Sequence, residues 1–403
     1  MEKPALLGGK PIADSIPLSR EREHLVARLE LYDSSHELSM FAKEWADFCG
    51  SRFCVPTCNG SHALSLALEA LEIGADDEVI VPGLTFQATA AAVCNVNAVP
   101  VLVDIDPATL CIDPKAVGGA ITKKTRAIIV VHLYGRMADV VQLRELADQH
   151  GLALIEDCAH AHGARWNNTG AGTIGRMGTF SFQASKLLSA GEGGSIITSE
   201  DRLRPTLQSL VSCGREYDGV ARHSVNYRLS AVQASLLRVR LPELRQRVLQ
   251  IDENSRTLDE AIDALPGLCS LRSDDRHTVR SGYAYAFYYF EERFSDLPKG
   301  VFQRALTAEL GFDFGDTYEP LDDCPLYRPH RAQRFQFDPE RRSRLDPTQW
   351  RLPNAHQARQ NVIVTTWPFL ARSPGAVSLF SEATHKIHRH RDLLMDALHA
   401  GDV

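Results

Sequence analysis

Short apolar runs alternate with stretches of helical periodicity between about residue 53 and residue 200. The runs are rich in β-branched residues and end at polar residues, glycine or proline, as strands do. The predicted strands are Phe53–Pro56, Glu78–Pro82, Val99–Ile105, Ala127–Leu133, Leu152–Ile155 and Ser195–Thr198. Between them, Ser61–Ile73 and Val140–His150 place apolar residues at helical spacing. This alternation predicts an α/β domain with a mostly parallel sheet.

The pattern changes after Leu229, where a helical stretch runs from Ser230 to about Leu265. Its arginines and glutamates lie on one side and its leucines on the other, as in an amphipathic surface helix. Farther along, a strand predicted over Ala284–Glu291 is followed by a segment rich in proline and arginine, 325–353, for which the pattern predicts no element.

A length of 403 residues exceeds what one hydrophobic core usually serves, so we expect two domains. The larger is predicted over residues 1–255 as a three-layer α/β/α domain with a mainly parallel sheet, including an N-terminal arm, residues 1–35. The smaller is predicted over residues 256–403 as an α+β domain.

The composition favours a small-molecule partner. The net charge is −7 and the basic residues are dispersed, which argues against binding to nucleic acid. No apolar stretch approaches the roughly 20 residues of a membrane span, and the start lacks the apolar region of a signal peptide. Nine scattered cysteines, an odd number, favour reduced thiols over a disulfide framework. We therefore expect a cytoplasmic protein.

The strongest chemical candidate is Lys186, which follows an apolar strand and precedes a glycine-rich turn at 191–194. Phe180 and Phe182 share one face of that strand, and Ser181 lies on the other. An amine enclosed in a partly apolar pocket has a depressed pKa and can act as a Schiff-base nucleophile and proton shuttle. This segment alone is equally compatible with a surface lysine after a strand.

A second candidate is Asp157, at the carboxyl end of an apolar strand, where open α/β sheets bind ligands. A carboxylate there can pair with the protonated ring nitrogen of a cofactor. It can also serve simply as the N-cap of the next helix.

Two further segments could contact a cofactor. The polar turn before the Ser61 helix contains Gly60, and N–H groups at a helix start attract phosphate, although many βα loops look similar. Phe86 follows another strand, where its ring could stack on a flat cofactor or simply join the core.

Residues 170–175 match the glycine pattern G-x-G-x-x-G of dinucleotide-binding enzymes. That pattern must follow a strand and open a helix, whereas a second strand, Thr179–Phe182, follows here. We therefore interpret it as a glycine-rich turn between strands, although a dinucleotide-dependent oxidoreductase stays open as a rival class.

Two groups have spacings compatible with metal ligands, and we expect no metal at either. The first contains cysteines in and beside a predicted strand, and the second is better explained as a solvated helix face. The groups are Cys54, Cys58 and His62, and His385, His388 and His390.

The order of these elements resembles the DegT/DnrJ/EryC1/StrS family of aminotransferases, over about residues 40–245. The strongest elements are Glu156–Ala164, Phe180–Lys186 with Gly191–Gly194, and Val225–Arg228. The resemblance implies pyridoxal-phosphate-dependent transferase fold type I.

The resemblance also implies roles for individual residues. Lys186 would bind pyridoxal 5′-phosphate as a Schiff base, and Asp157 would pair with its pyridine nitrogen. Ser181, Gly60 and Ser61 would hold the phosphate. Phe86 would stack on the cofactor ring, and His160 would form a hydrogen bond with its phenolic oxygen. Asn226 would contact the phosphate from the neighbouring subunit of a homodimer.

One departure is His160, because many members of the family have glutamine at that position. An imidazole N–H could replace the amide as a donor. The histidine variant, Gln183 and the run Val99–Asp106 are most similar to two branches, cyclitol ketone aminotransferases and aminohydroxybenzoate synthases. The segment 318–329 is similar to the cyclitol branch.

We therefore expect transfer of an amino group from glutamine or glutamate to a cyclic polyhydroxy ketone, such as an inosose or a keto-sugar. The alternative is dehydration and aromatisation of the aminohydroxybenzoate synthase type. A binding protein that retains the fold without catalysis is a third possibility. The sequence does not identify the ketone, the carbon that is aminated, the donor or the pathway.

Overall fold

A computed structural model of the chain describes residues 34–400, apart from residues 218, 220, 273, 336–338 and 372–374. Most of the predicted N-terminal arm, residues 1–35, therefore lies outside the described residues. The strands are β1 (Phe53–Thr57), β2 (Glu78–Pro82), β3 (Val99–Val103), β4 (Thr125–Val131), β5 (Ala153–Asp157), β6 (Arg165–Trp166), β7 (Thr169–Gly170), β8 (Met177–Ser181), β9 (Gly194–Thr198), β10 (Leu268–Ser270), β11 (His277–Val279), β12 (Ala284–Tyr289), β13 (Phe314–Asp316) and β14 (Val362–Thr366).

The α-helices are numbered over the same described residues. They are α1 (Ser34–Cys49), α2 (Gly60–Ala70), α3 (Ala88–Asn95), α4 (Pro114–Ala120), α5 (Val140–His150), α6 (Leu203–Val211), α7 (Ala231–Asp263), α8 (Lys299–Leu310), α9 (Pro339–Arg344), α10 (Pro353–Asn361), α11 (Trp367–Leu370), α12 (Ala376–Arg389) and α13 (Arg391–Ala400). Short 3₁₀ turns occupy Leu133–Gly135, Glu291–Arg293, Pro329–Arg331, Gln333–Phe335 and Pro347–Gln349. No helix of the described residues combines the length and apolar character needed to cross a membrane.

The central sheet has seven strands in the order β1-β9-β8-β5-β4-β2-β3. The pairs from β8 to β3 are parallel, whereas β9 runs antiparallel to both of its neighbours. Strands β3, β5 and β9 are buried along their whole length. Since successive side chains point to opposite faces, burial of this kind requires cover on both faces. The predicted α/β class with a mainly parallel sheet is confirmed.

The sequence places most elements within two residues of their observed ends, and two of the differences have local causes. The predicted strand Ala127–Leu133 ends instead at Val131, because Tyr134 adopts a left-handed backbone conformation with φ of 56° in a 3₁₀ turn. The predicted helix Ser61–Ile73 ends at Ala70, just before Glu72, whose φ is 58°.

The C-terminal part forms a second, antiparallel sheet in the order β10-β12-β14-β13. Helix α7 leads from the central sheet towards it and runs across the predicted domain boundary at residues 255–256. The small sheet β11-β6-β7 pairs a strand from each side of that boundary. The division into 1–255 and 256–403 stays a prediction.

The histidines of the C-terminal helix only partly match the predicted solvated face. His385 is exposed, but His390 is buried and ends α12 as its C-cap. His388 packs edge-on against the ring of Phe294 at 5.0 Å. The prediction fails for His390 because the chain turns there into α13.

Aromatic packing fixes the strand that precedes Lys186. The buried ring of Trp45 on α1 meets Phe180 edge-on at 5.1 Å and Phe182 at 5.4 Å, so these two phenylalanines share a face as predicted. The His162 ring N–H donates to the carbonyl of Ser181 at 2.9 Å. These contacts hold the end of β8 in place.

The glycine-rich segment 170–175 is a turn between β7 and β8, as predicted, and it surrounds a buried carboxylate. The side chain of Glu156 accepts hydrogen bonds from the N–H groups of Gly172, Ile174 and Gly175 at 2.6–2.8 Å. It also contacts Nε2 of His132 at 2.9 Å. The glycines therefore let the backbone wrap a side-chain anion.

Glu156→Ala should lower the free energy of unfolding by on the order of 3–5 kcal/mol, because several buried donors lose their acceptor together. Thermal unfolding of the variant and of a control, Glu253→Ala, measures this. Glu253 is exposed on α7, and its loss should change stability by less than about 0.5 kcal/mol. Equal stability of both variants would contradict the structural role of Glu156.

Candidate active site

A cavity of about 560 Å³ opens at the carboxyl ends of the parallel strands. Strand β5 ends there at Asp157, and β8 ends at Ser181. Seven of the eight residues predicted as site residues line this cavity: Gly60, Ser61, Phe86, Asp157, His160, Ser181 and Lys186. The eighth, Asn226, does not.

Lys186 occupies the loop after β8, and its amine lies over the ring of Tyr283, 4.2 Å from the ring centre. Burial lowers the pKa of Lys186 to about 8, while the negative charge of Asp157 acts in the opposite direction. Lys186 is half-buried and lines the cavity, so it is not an ordinary surface lysine. A substantial fraction of this amine is neutral near pH 8 and can attack a carbonyl carbon.

Asp157 is buried, with an exposed fraction of 6%. Its carboxylate accepts hydrogen bonds from the N–H of Ala159 at 3.1 Å and from the hydroxyl of Thr89 at 2.9 Å. Burial raises the pKa of Asp157, whereas these donors and the charge of Lys186 lower it. The Asp157 side chain lines the cavity, so it can pair with a cationic nitrogen placed there.

The start of α2 forms one wall of the cavity. Asn59 is the N-cap, and its side chain accepts from the N–H of His62 at 2.8 Å. The N–H groups of Gly60 and Ser61 have no partner within the helix, as is general for a first turn. A Cβ atom on Gly60 would lie 2.8 Å from Cβ of Ser181. Glycine is thus required here by the close approach of α2 to β8.

His160 is neutral in this site, because burial and the neighbouring charge of Lys186 lower its pKa well below the ordinary value. The N–H of Tyr134 donates to Nδ1 of His160 at 3.4 Å. The ring proton is therefore assigned to Nε2, which makes that atom a hydrogen-bond donor. The imidazole stacks on Tyr283 with ring centres 3.9 Å apart.

Phe86 is 47% exposed, which is unusual for so large an apolar side chain. Its ring lies at the cavity, 6.1 Å from that of Tyr318. It does not belong to the core, so the alternative of an ordinary core phenylalanine is wrong. The exposed face is available for stacking on a flat ligand.

Asn226 is exposed and lies beside the site of its own chain without entering the cavity. Its side-chain oxygen accepts from the N–H of Arg228 at 3.1 Å. The next residue, Tyr227, accepts a backbone hydrogen bond from Cys58 at 2.7 Å. The predicted contact with a neighbouring subunit stays a prediction.

Sequence reasoning did not assign several residues of the cavity, among them Thr89, Tyr283 and Tyr318. Thr89 follows Phe86 by one helical turn, and its polar side chain on the otherwise apolar α3 was a usable signal. Tyr318 begins the segment 318–329 that the resemblance singles out. Tyr283 lies just before β12, and no local pattern connects it with Lys186.

A partly neutral lysine, a buried carboxylate and a helix start face one cavity at the carboxyl ends of a mainly parallel sheet. This fold and site define a transferase of fold type I. The chain belongs to the DegT/DnrJ/EryC1/StrS aminotransferase family, whose model matches residues 21–339.

Two sequence relatives cover most of the chain. An L-glutamine:scyllo-inosose aminotransferase from Streptomyces griseus is 41% identical over 362 residues, which cover 86% of this chain and 85% of the relative. An L-glutamine:2-deoxy-scyllo-inosose aminotransferase from Streptomyces kanamyceticus is 39% identical, with 88% and 86% covered.

Solved structures support the same fold. The structure of 3-amino-5-hydroxybenzoic acid synthase matches with a TM-score of 0.78 and 29% identity, covering 94% of this chain and 99% of that one. An aminotransferase from Psychrobacter cryohalolentis matches with a TM-score of 0.80 and 26% identity, with the same coverage.

In cofactor-free protein, acylation of Lys186 should rise with pH around a midpoint near 8, because only the neutral amine reacts. Asp157→Asn should move this midpoint down, since the carboxylate charge that favours the protonated amine is lost. Competitive labelling with peptide mass spectrometry measures both, with the exposed Lys123 as the reference peptide. An upward shift in the variant would contradict the electrostatic coupling.

Proposed function

We propose that this protein uses pyridoxal 5′-phosphate to transfer an amino group from L-glutamine, or L-glutamate, to a cyclic polyhydroxy ketone of the scyllo-inosose class. The observation that carries the proposal is the placement of Lys186 and Asp157 in one cavity of a DegT/DnrJ/EryC1/StrS family chain. The reaction would belong to aminoglycoside-like or other secondary-metabolite biosynthesis.

The residues present fit the cofactor. The N–H groups of Gly60 and Ser61 and the hydroxyl of Ser181 lie together at the cavity and suit a phosphate. The exposed ring of Phe86 suits a flat pyridine ring, and Nε2–H of His160 suits its phenolic oxygen. These residues would hold the cofactor with Lys186 as its covalent anchor.

When bound, pyridoxal phosphate supplies an electron sink for the negative charge left by removal of a proton from the donor's α-carbon. Asp157 would hold a proton on the pyridine nitrogen, which strengthens that sink. Nζ of Lys186 would take the α-proton and deliver it to the cofactor carbon on the other side of the amino nitrogen, a 1,3 shift. The lowered pKa of Lys186, about 8, suits both directions of proton movement.

The cavity also suits a polyhydroxylated acceptor. Its lining includes Gln183, Ser185 and Glu192 from the loop after β8, together with Tyr283 and Tyr318 from later in the chain. The hydroxyls of Ser185 and Tyr283 lie 3.3 Å apart. Such side chains offer donors and acceptors to ring hydroxyls. The substrates named for the relatives from Streptomyces griseus and Streptomyces kanamyceticus support glutamine as donor and an inosose as acceptor.

The second candidate is dehydration and aromatisation, favoured by the likeness to 3-amino-5-hydroxybenzoic acid synthase at 29% identity. The inosose aminotransferases are more similar, at 37–41% identity over most of the chain, so we prefer transamination.

All nine cysteines are free thiols, and Cys213 and Cys269 are exposed. Free exposed thiols support a cytoplasmic setting.

Purified protein loaded with pyridoxal phosphate should convert scyllo-inosose to an aminocyclitol with L-glutamine as donor. Lys186→Ala should lower the rate by a factor of at least about 10⁴, since the proton shuttle is lost. Product mass and NMR identify the reaction. An aromatic product would favour the second candidate, and undiminished turnover by the variant would refute the role of Lys186.

We also propose that two subunits share each site through Asn226. A mixed dimer of a Lys186→Ala chain and an Asn226→Ala chain then contains one site with both defects and one with neither. Refolding the two variants together should restore up to about one half of the wild-type activity per mixed dimer.

The control is each variant refolded alone, with two affinity tags used to confirm that mixed dimers form. If Asn226 serves only its own chain, every site keeps one defect. Activity no higher than that of Asn226→Ala alone would then exclude sharing through this residue.

A further inference from the structure

Three side chains on one face of α7 contact the loop that carries Lys186, residues 182–193, called here the lysine loop. Gln233, Arg240 and Arg247 are spaced seven residues apart, close to two helical turns, and so lie on one face. Each of these side chains donates to a different backbone carbonyl of the loop. The bonds are Gln233 Nε2 to Glu192 at 2.7 Å, Arg240 Nη1 to Ser189 at 2.7 Å and Arg247 Nη1 to Leu187 at 3.3 Å.

A fourth donor comes from the C-terminal part. The indole N–H of Trp367 donates to the carbonyl of Ser185 at 3.1 Å. Its backbone N–H donates to the carbonyl of Tyr283 at 3.0 Å, and the guanidinium of Arg247 lies over its ring at 5.6 Å. Trp367 thus connects the lysine loop with Tyr283, whose ring lies under the amine of Lys186.

The carbonyl of Ser185 belongs to the peptide bond that precedes Lys186, and the carbonyl of Leu187 lies one peptide bond beyond the one that follows Lys186. The loop forms no helix or strand, and Gly191 and Gly193 adopt positive φ of 78° and 149°. The loop has its own turn bond from the N–H of Lys186 to Gln183 at 2.9 Å. Hydrogen bonds from outside the loop to the carbonyls of Ser185 and Leu187 therefore restrain the backbone on both sides of Lys186.

We propose that Arg247 and Trp367 are positioning residues that hold Lys186 over Tyr283 through the carbonyls on either side of it. This inference rests on the proposed role of Lys186. It gives the C-terminal part, through Trp367, direct control over the environment of the lysine amine. Arg247 couples the same loop to α7.

Two variants test the proposal in the full chain. Trp367→Phe keeps an aromatic ring for Arg247 but removes the indole N–H, and Arg247→Ala removes both the hydrogen bond and the stacking. Each should raise the pH midpoint for acylation of Lys186 by about one unit in cofactor-free protein, because a displaced amine gains water. In loaded protein, kcat should fall roughly two- to tenfold with a smaller change in KM.

The matched control is Arg245→Ala, since Arg245 lies on the same helix but places its guanidinium over Phe48 at 5.7 Å. Arg247→Lys should recover part of the effect, because an ammonium can still donate to Leu187. A lower melting temperature with an unchanged midpoint in both variants would show a merely structural role and overturn the proposal. The midpoint is read without turnover, so failure of the proposed transamination would be seen separately.

Discussion

The amine of Lys186 lies in a cavity where burial and the charge of Asp157 act on its pKa in opposite directions. Much of the surrounding structure keeps these two groups in place. Burial favours the neutral amine, and the charge of Asp157 favours the ammonium form. The resulting pKa of about 8 depends on both groups keeping their places. Strand β5 fixes Asp157 because it is central and fully buried, whereas Lys186 lies in a loop and needs contacts from outside it.

Two neighbouring carboxylates on β5 show how environment separates structural from chemical roles. Glu156 points to one face of the sheet, where three backbone N–H groups and His132 bind it. Asp157 points to the other face, where Ala159 and Thr89 each donate a single bond. The oxygens of Glu156 are fully occupied by these donors, and the carboxylate therefore holds the loops together. Asp157 can accept further hydrogen bonds beside the cavity, so it is available to a ligand.

The strand ends that carry Asp157 and Lys186 could be predicted from sequence, because hydrophobic patterning marks buried strands and parallel strands bring their carboxyl ends together. The residues facing them could not. Tyr283 reaches Lys186 from almost a hundred positions away, through packing of the second sheet. The tautomer of His160 is set by the N–H of Tyr134, whose left-handed backbone conformation could not be predicted from its residue type. The amphipathic pattern of α7 predicts a surface helix, but it does not indicate that Arg247 on its polar side contacts the loop that carries Lys186.

A single cavity must also serve both halves of the proposed reaction. Among the described residues, no arginine lines it. In the proposed reaction, neutral groups such as the hydroxyls of Ser185 and Tyr283 would serve both a charged amino-acid donor and an uncharged polyol. Neutral groups bind a carboxylate less strongly than arginine does. When a ketone takes the place of the carboxylate, however, the cost in free energy is smaller, because no buried cation is left unpaired.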